Sequence, residues 1–435
     1  MFIEQNVDAP IGNRIVKFWT GFEQETAYLP LVMIDSGHKI IDGDFENFGT
    51  VYRALVRPEL ARRPQAQIDA YVRQVGSKLR VYAVLTNGSD VALSASANQA
   101  EITALVYEDK AVGVTGRIIR AAPWLDLQAP LAPGTSTTAT IDTGSLAGVN
   151  WGALHTVVVA DAQPGPGPAF DMLQAAVARP AGLTATPAAI PVGVDSAAFA
   201  DRSVPLTLAG PHNLAWTATA DVPWLAATPN AGPIATQPTL TVEAAHLPAG
   251  LQEGHVTFSA TSTDGMAFTD TVTVSAVVGP RRVRATAPSA VAGAALAVPV
   301  VMTALGDERE VSFSLAFDPA LVSAPSVAAG AGAGAAALAV DASEVASGRV
   351  GISLALPGGQ TFPLGDDELA VVTFATPPAA AGSFAAIAFA GGPVPIAVTD
   401  GFGTALTAAF EDAAIVFPAQ GGVHPVRRRV ARPAD

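Results

Sequence analysis

Hydrophobic and polar positions alternate along most of this chain. Val311, Phe313, Leu315 and Phe317 are separated by small or polar residues, the period of a half-buried strand. Asp318-Pro319 then stops that strand, because proline has no N–H to give to a ladder. The same period runs through QIDAYVRQ and KLRVYAVLTN, parted by Val75-Gly76-Ser77, and predicts a hairpin. Asn87-Gly88 and Pro133-Gly134 mark turns. Further strands are predicted at Glu101–Tyr107, Gly113–Arg120, Ser136–Asp142 and Leu154–Ala160. Helical spacing is rare. Phe48, Val51, Tyr52 and Leu55 fall on one helix face, with Asp44 as the expected N-cap and Pro58 limiting the far end. The apolar run LPLVMI, Leu29 to Ile34, predicts a buried strand that turns at Ser36-Gly37 and returns along Lys39-Ile40-Ile41. A brief helix is expected over Phe170–Ala178. The nearly uncharged runs Leu321–Val340 and Ala370–Thr399 read as loops joining strands.

Composition narrows the classes. At 435 residues there is room for about three domains of ordinary size. Half of the residues are hydrophobic but only 6% aromatic and 14% charged, so the excess is Ala and Val. That charge fraction is too low for long solvated helices, which need salt-bridging faces. A net charge of −14 argues against nucleic-acid partners, which demand a basic face. No stretch reads as a membrane span: the Ala- and Gly-rich run gains little from lipid and the other is broken by prolines. With no cysteine there are no disulfides, thiolate metal sites or Cys nucleophiles. Met1 opens onto FIEQNVDAPIGN, which has neither a basic n-region nor an apolar h-region, pointing to a cytoplasmic chain or to a mature or truncated form.

Three stretches resemble known families. The phrase around Trp216, Pro223-Trp224-Leu225, Pro229, Gly232, Leu240-Thr241-Val242, Leu247, Gly250, Gly254, Val256 and Phe258 resembles the BACON family of small β-sandwiches, often spacers in carbohydrate-active and surface proteins. The order of VPVVMTALGDEREVSFSLAFDPALV, GRVGISLALPGGQTFPLGDDELAVVTF and PVPIAVTDGFGTALTAAFEDAAIVF resembles the cohesin domain, a β-sandwich that binds a partner module. Strand, turn, strand and helix within the first sixty residues resemble the C-terminal half of a thioredoxin-like fold, without the half that carries that family's Cys-x-x-Cys, so no redox activity is transferred. The expected fold class is mainly β: tandem immunoglobulin-like and cohesin-like β-sandwiches with a small partial α/β, thioredoxin-like, N-terminal segment. The expected division is a thioredoxin-like segment at 1–65, an immunoglobulin-like sandwich at 66–165, a BACON-like sandwich at 183–278, a cohesin-like sandwich at 281–418 and a disordered tail at 419–435.

Motifs that carry chemistry are thin. None of His38, His155, His212, His246, His255 and His424 pairs with another at zinc-ligand spacing. Ser36-Gly37-His38-Lys39 matches Ser-x-x-Lys formally, but Gly37 makes it a turn rather than the start of a buried helix. Gly330–Ala337, GAGAGAAA, lacks the strand, helix and lysine of a phosphate loop and reads as a flexible surface loop. Asp307, Glu308 and Glu310, and Asp366, Asp367 and Glu368, are conceivable calcium clusters without the alternating spacing of a known loop, and read as solvated turns.

No catalytic, cofactor or metal residue is therefore assigned, and the chain is expected to be noncatalytic. The cohesin resemblance implies a dockerin-like protein partner, an extracellular or cell-surface location and a setting in polysaccharide breakdown. Ile352 and Leu354 lie on a central strand of that unit, with their facing open. A second reading is a carbohydrate-binding module protein whose stacking residues are Trp216 and Trp224, and a third is a truncated thiol–disulfide exchange protein.

Overall fold

A computed structural model describes residues 14, 17–18, 31–42, 47–112, 115–163, 169–263, 265–286 and 290–419. They are built mainly of strands, arranged as three β-sandwiches in a row with a short α/β element docked on the first.

That element is the antiparallel pair Leu31–Ile34 and Lys39–Asp42, followed by the helix Phe48–Leu60. Gly37 sits at φ 88° in the turn, as its position between the two strands requires. The helix is capped by Asn47, whose Oδ1 accepts the Thr50 N–H at 3.3 Å. The expected cap, Asp44, lies outside the described residues, as does the Leu29-Pro30 entry. Pro58 falls inside the last turn rather than before it. Only two helical residues follow it, and the end closes with a short-range bond from Ala61 N–H to the Pro58 carbonyl.

The first sandwich packs the strands Ala66–Val75, Lys78–Asn87 and Ser136–Asp142 against Glu101–Val112, Thr115–Ala121 and Leu154–Ala162. Its core is rich in alanine beside Val81, Leu85, Leu93, Ile102 and Val158. Phe170–Ala178 is not a helix. Asp171–Val177 forms an antiparallel edge strand on Leu154–Ala162, because the open edge offers a ladder that also buries Phe170 and Leu173. Arg179–Pro180 then pairs in parallel with Ala66–Val75. Strands beyond residue 165, the expected end of the first sandwich, thus pair with it.

The second sandwich has the sheet Ala189–Asp195, Ala267–Gly279, Gly250–Ser262, Leu214–Ala220 and Ala231–Pro233, facing Arg202–Pro205, Thr239–Val242 and Leu225–Thr228. Trp216 and Trp224 lie in its core.

The third sandwich carries, in spatial order, Ser323–Ala329, Gly365–Ala375, Ala295–Ala304, Arg282–Ala285 and Ala409–Glu411 in one sheet. The other runs Ala337–Asp341, Arg349–Ala355, Glu308–Ala316, Phe384–Ala390 and Ala413–Val416, with Ala397–Asp400 also on Glu308–Ala316. Val298, Val300, Met302, Phe313, Leu315, Ile352, Leu354, Val372 and Phe374 interlock between them. Both runs read as loops from composition contain strands, since alanine can line a sheet whose neighbours supply the large side chains.

Candidate interaction face and the joint that positions it

The strand Glu308–Ala316 sends Val311, Phe313 and Leu315 fully into the core, as its alternation predicts. Ile352 and Leu354 point the same way and are equally buried, so the outer face belongs to the residues between them. Register places those residues in rows. Ala337, Ala355, Glu310 and Thr399 form one row, and Ala339, Ser353, Ser312 and Ala397 the next. Asp341, Gly351 and Ser314 form a third. At one end the segment 391–396 lies over the sheet. Ser314 Oγ donates to the Val394 carbonyl at 2.8 Å, Ser312 Oγ donates to the Pro395 carbonyl at 2.9 Å, and a Cβ on Gly351 would sit 2.4 Å from Val394 Cγ2. This cover explains why both serines are buried although they face outward. What remains open is made mostly of Ala and Ser, with Glu310 and Arg349 exposed on it. Such a plate offers shape and hydroxyl groups and no acid–base pair.

The unit bearing this face is fixed to the second sandwich by a buried charge cluster. Arg281 follows directly on Pro280 and is 2% exposed. Its guanidinium donates to Glu308 at 2.5 Å, Asp307 at 2.6 Å, and the carbonyls of Thr407 at 3.1 Å and Gly193 at 3.3 Å. Arg202, from the second sandwich, pairs with Asp400 at 2.9 Å and faces Asp307 at 3.5 Å. Glu308 also accepts the backbone N–H groups of Leu305 and Gly306. Burial works against the Arg281 charge, but Asp307 and Glu308 outweigh it and hold its pKa above the usual range. Burial pushes the Asp307 carboxyl up. Asp367 nearby is pushed up to about 6 by burial, then by the charges of Glu308 and Asp366. Gly193 leaves no room at the seam: a Cβ there would lie 2.4 Å from Leu305 Cβ.

The acidic groups read as solvated turns thus divide. Glu310 and Asp366 are exposed, whereas Asp307, Glu308 and Asp367 are buried. The signal in the sequence was the basic cluster Arg281, Arg282 and Arg284 directly after the uncharged Val278-Gly279-Pro280 linker, of which Arg281 is the buried member. The glycine run 330–336 is not a flexible loop either. Gly330 N–H donates to the Leu369 carbonyl, and a Cβ on Gly330 would lie 2.2 Å from the Glu368 carbonyl oxygen. Glycine is required there because backbone packs on backbone.

Trp216 and Trp224 are 1% and 2% exposed. Trp216 Nε1 donates to the Pro233 carbonyl at 3.0 Å and its ring meets Phe258 edge-on at 5.7 Å. Neither ring offers a face to a sugar, because the apolar residues flanking each draw it into the core. Among the histidines, His38 comes together with Asp35 and Asp171, one ligand atom from each lying within 4.8 Å of the others. Arg62 bridges Asp35 and Asp171, and His38 Nδ1 lies 2.6 Å from Asp171, so a guanidinium already answers these carboxylates. Burial raises Asp35 to about 6 against the pull of Arg62. His424 lies outside the described residues. No helix among the described residues is long and apolar enough to cross a membrane.

No protein-family model matches the chain, and no curated protein matches it. Solved cohesins resemble part of it. The third cohesin of ScaC from Acetivibrio cellulolyticus, in complex with the ScaB dockerin, is 19% identical over 32% of this chain and 99% of its own, with a TM-score of 0.28. The non-cellulosomal cohesin of the archaeon Archaeoglobus fulgidus is 18% identical over 34% and 99%, at 0.27. CaCohA2 of Clostridium acetobutylicum is 16% identical over 32% and 91%, at 0.28. Each match leaves about two thirds of this chain uncovered.

Proposed function

We propose that this chain is a noncatalytic, multi-domain binding protein of the cell exterior whose third sandwich docks a dockerin-like protein partner on its Ala/Ser face. The observation that carries the reading is the open plate of small side chains formed by Ala337, Ala339, Ser353, Ala355 and Ala397, edged by Glu310 and Arg349. The cohesin-like order of strands in the sequence supports the same unit as the binder. The second sandwich, with its BACON-like sequence, serves as a spacer that holds this unit at a fixed angle through Arg281. Four strands about 4.8 Å apart and two open rows, four residues of strand at about 3.3 Å each, make the plate roughly 19 by 13 Å, or some 250 Å². A standard interface takes about 800 Å² from each partner, so surrounding loops must share the contact. The 391–396 segment and the end near Glu310 are placed to do so.

The test titrates the full chain with calcium-loaded type I dockerin modules by calorimetry. Binding is expected for at least one. Ala339→Arg with Ser353→Arg weakens it about a hundredfold or more by filling the plate, and Thr373→Arg on the opposite sheet leaves it unchanged. Absence of binding to every dockerin, or equal binding by the plate variant, refutes the proposal.

A further inference from the structure

A separate hollow opens on the first sandwich, far in sequence from the plate. The short edge strand Trp124–Asp126 pairs with Glu101–Val112, placing Trp124 opposite Thr103 and Asp126 opposite Glu101. Trp124 and Asp126, two residues apart, share one side of their strand. With Arg14, Lys17, Glu101 and Thr103 they line a space of about 160 Å³.

Its chemistry is uneven in a telling way. Glu101 and Thr103 are buried, and their partners are set: Lys17 Nζ lies 2.6 Å from Glu101 Oε2, and Arg14 donates to Thr103 Oγ1 at 3.0 Å. Trp124, in contrast, is 49% exposed. Among the described residues neither its indole N–H nor the Asp126 carboxylate has a hydrogen-bond or ion-pair partner. A large ring and an open acceptor thus stand beside a rigid polar wall. Arg14 is answered by the buried Asp161 and Lys17 by Glu101, so neither cation is left for an anion, and the exposed Asp126 carboxylate on its own attracts a cation only weakly in water. A neutral polyol gains on every side: the carboxylate accepts its hydroxyls, the indole N–H donates, and the ring covers its C–H face. The space is about half the lower bound for ordinary ligand pockets, which fits one sugar ring and not a longer ligand. We propose that this hollow binds a single pyranose unit of a neutral glycan, with Trp124 stacking on the ring and Asp126 accepting from its hydroxyls.

Ligand-observed NMR and calorimetry on the full chain test this with cellohexaose, xylohexaose and mannohexaose, and with trigalacturonic acid and chitosan hexamer as charged controls. At least one neutral hexaose is expected to bind weakly and both controls more weakly still. Trp124→Ala is expected to reduce that binding about tenfold. Asp126→Ala, at an exposed position that no fold contact needs, is expected to reduce it severalfold. Failure of all three neutral glycans, tighter binding of either control, or binding unmoved by both substitutions overturns the proposal. Dockerin binding by the third sandwich is unaffected in each case, so the two readings fail separately.

Discussion

The two joints between sandwiches are built differently. Between the second and third, Arg281 is sealed from water and bonded to two carboxylates and two carbonyls. Between the first and second, the contact carries no ion pair among the described residues and rests on aromatic edges and one backbone hydrogen bond, from Gly210 to the Tyr71 hydroxyl. Tyr82 meets the half-buried His212 edge-on at 6.0 Å, and Nδ1 of that histidine has no hydrogen-bond partner. The linker there is tied to the first sandwich by Arg179, which lies over Tyr71 and bonds its hydroxyl at 2.9 Å, and by Ala181 N–H to Val72. A buried charge tolerates only one geometry, since any opening strands it without partners, whereas an aromatic edge contact loses little on sliding. The second joint is therefore expected to be stiff and the first to be the hinge. That arrangement carries the Ala/Ser plate as a rigid extension of its neighbour.

The strongest way to break this contrast is Arg281→Met. Removing the cation leaves Asp307 and Glu308 buried without their main partner, and should cost about 3–5 kcal/mol by chemical unfolding. An unchanged stability would show the joint to be open to water. Gly193→Ala pushes a methyl group onto Leu305 Cβ and should cost about 1–3 kcal/mol; combining it with Leu305→Gly, which removes that Cβ, should recover part of the loss in a double-mutant cycle.

The joints should also answer pH in opposite senses. The pKa of Asp367 is raised to about 6 from an ordinary 3.8, so the folded state holds its proton more tightly than the unfolded chain. Its contribution is full below about 4 and is lost as pH rises through about 6. Asp367→Asn should accordingly raise stability by about 1–2 kcal/mol at pH 7.5 and have little effect at pH 4. His212 has its pKa lowered by burial, so its contribution is present above the ordinary 6.5 and is lost as pH falls through the lowered value. Fluorophores on engineered cysteines, simple to place in a Cys-free chain, should report loosening of the first joint on acidification and none at the second. The smallest effect is expected from His212→Ala, at most about 1 kcal/mol, with the acid response of the first joint abolished.

Much of the fold was legible because period-two alternation survives wherever one face of a strand is wet. Lys78–Asn87 and Ser136–Asp142 match the predicted spans, and the strand expected to run through Phe317 to Asp318-Pro319 ends just before it, at Ala316. Legibility failed where both faces were covered or side chains were small. Asp171–Val177 has helical spacing yet was recruited by an open sheet edge, and alanine-rich strands carry no contrast between faces. The plate was beyond reach because a register shift of one residue would exchange Ile352 and Leu354 for Gly351 and Ser353.

By itself, then, the sequence determined the strand-rich class, the main turns and the cysteine-free chemistry, since these depend on local period and on composition. Tertiary structure alone decided which acidic residues are buried, because only contact between two sandwiches brings Arg281 and Arg202 to Asp307, Glu308 and Asp400. It also decided which tryptophan faces solvent. An exposed ring on a short edge strand and a core ring on a central one look alike in sequence, and differ only in what the rest of the chain lays over them.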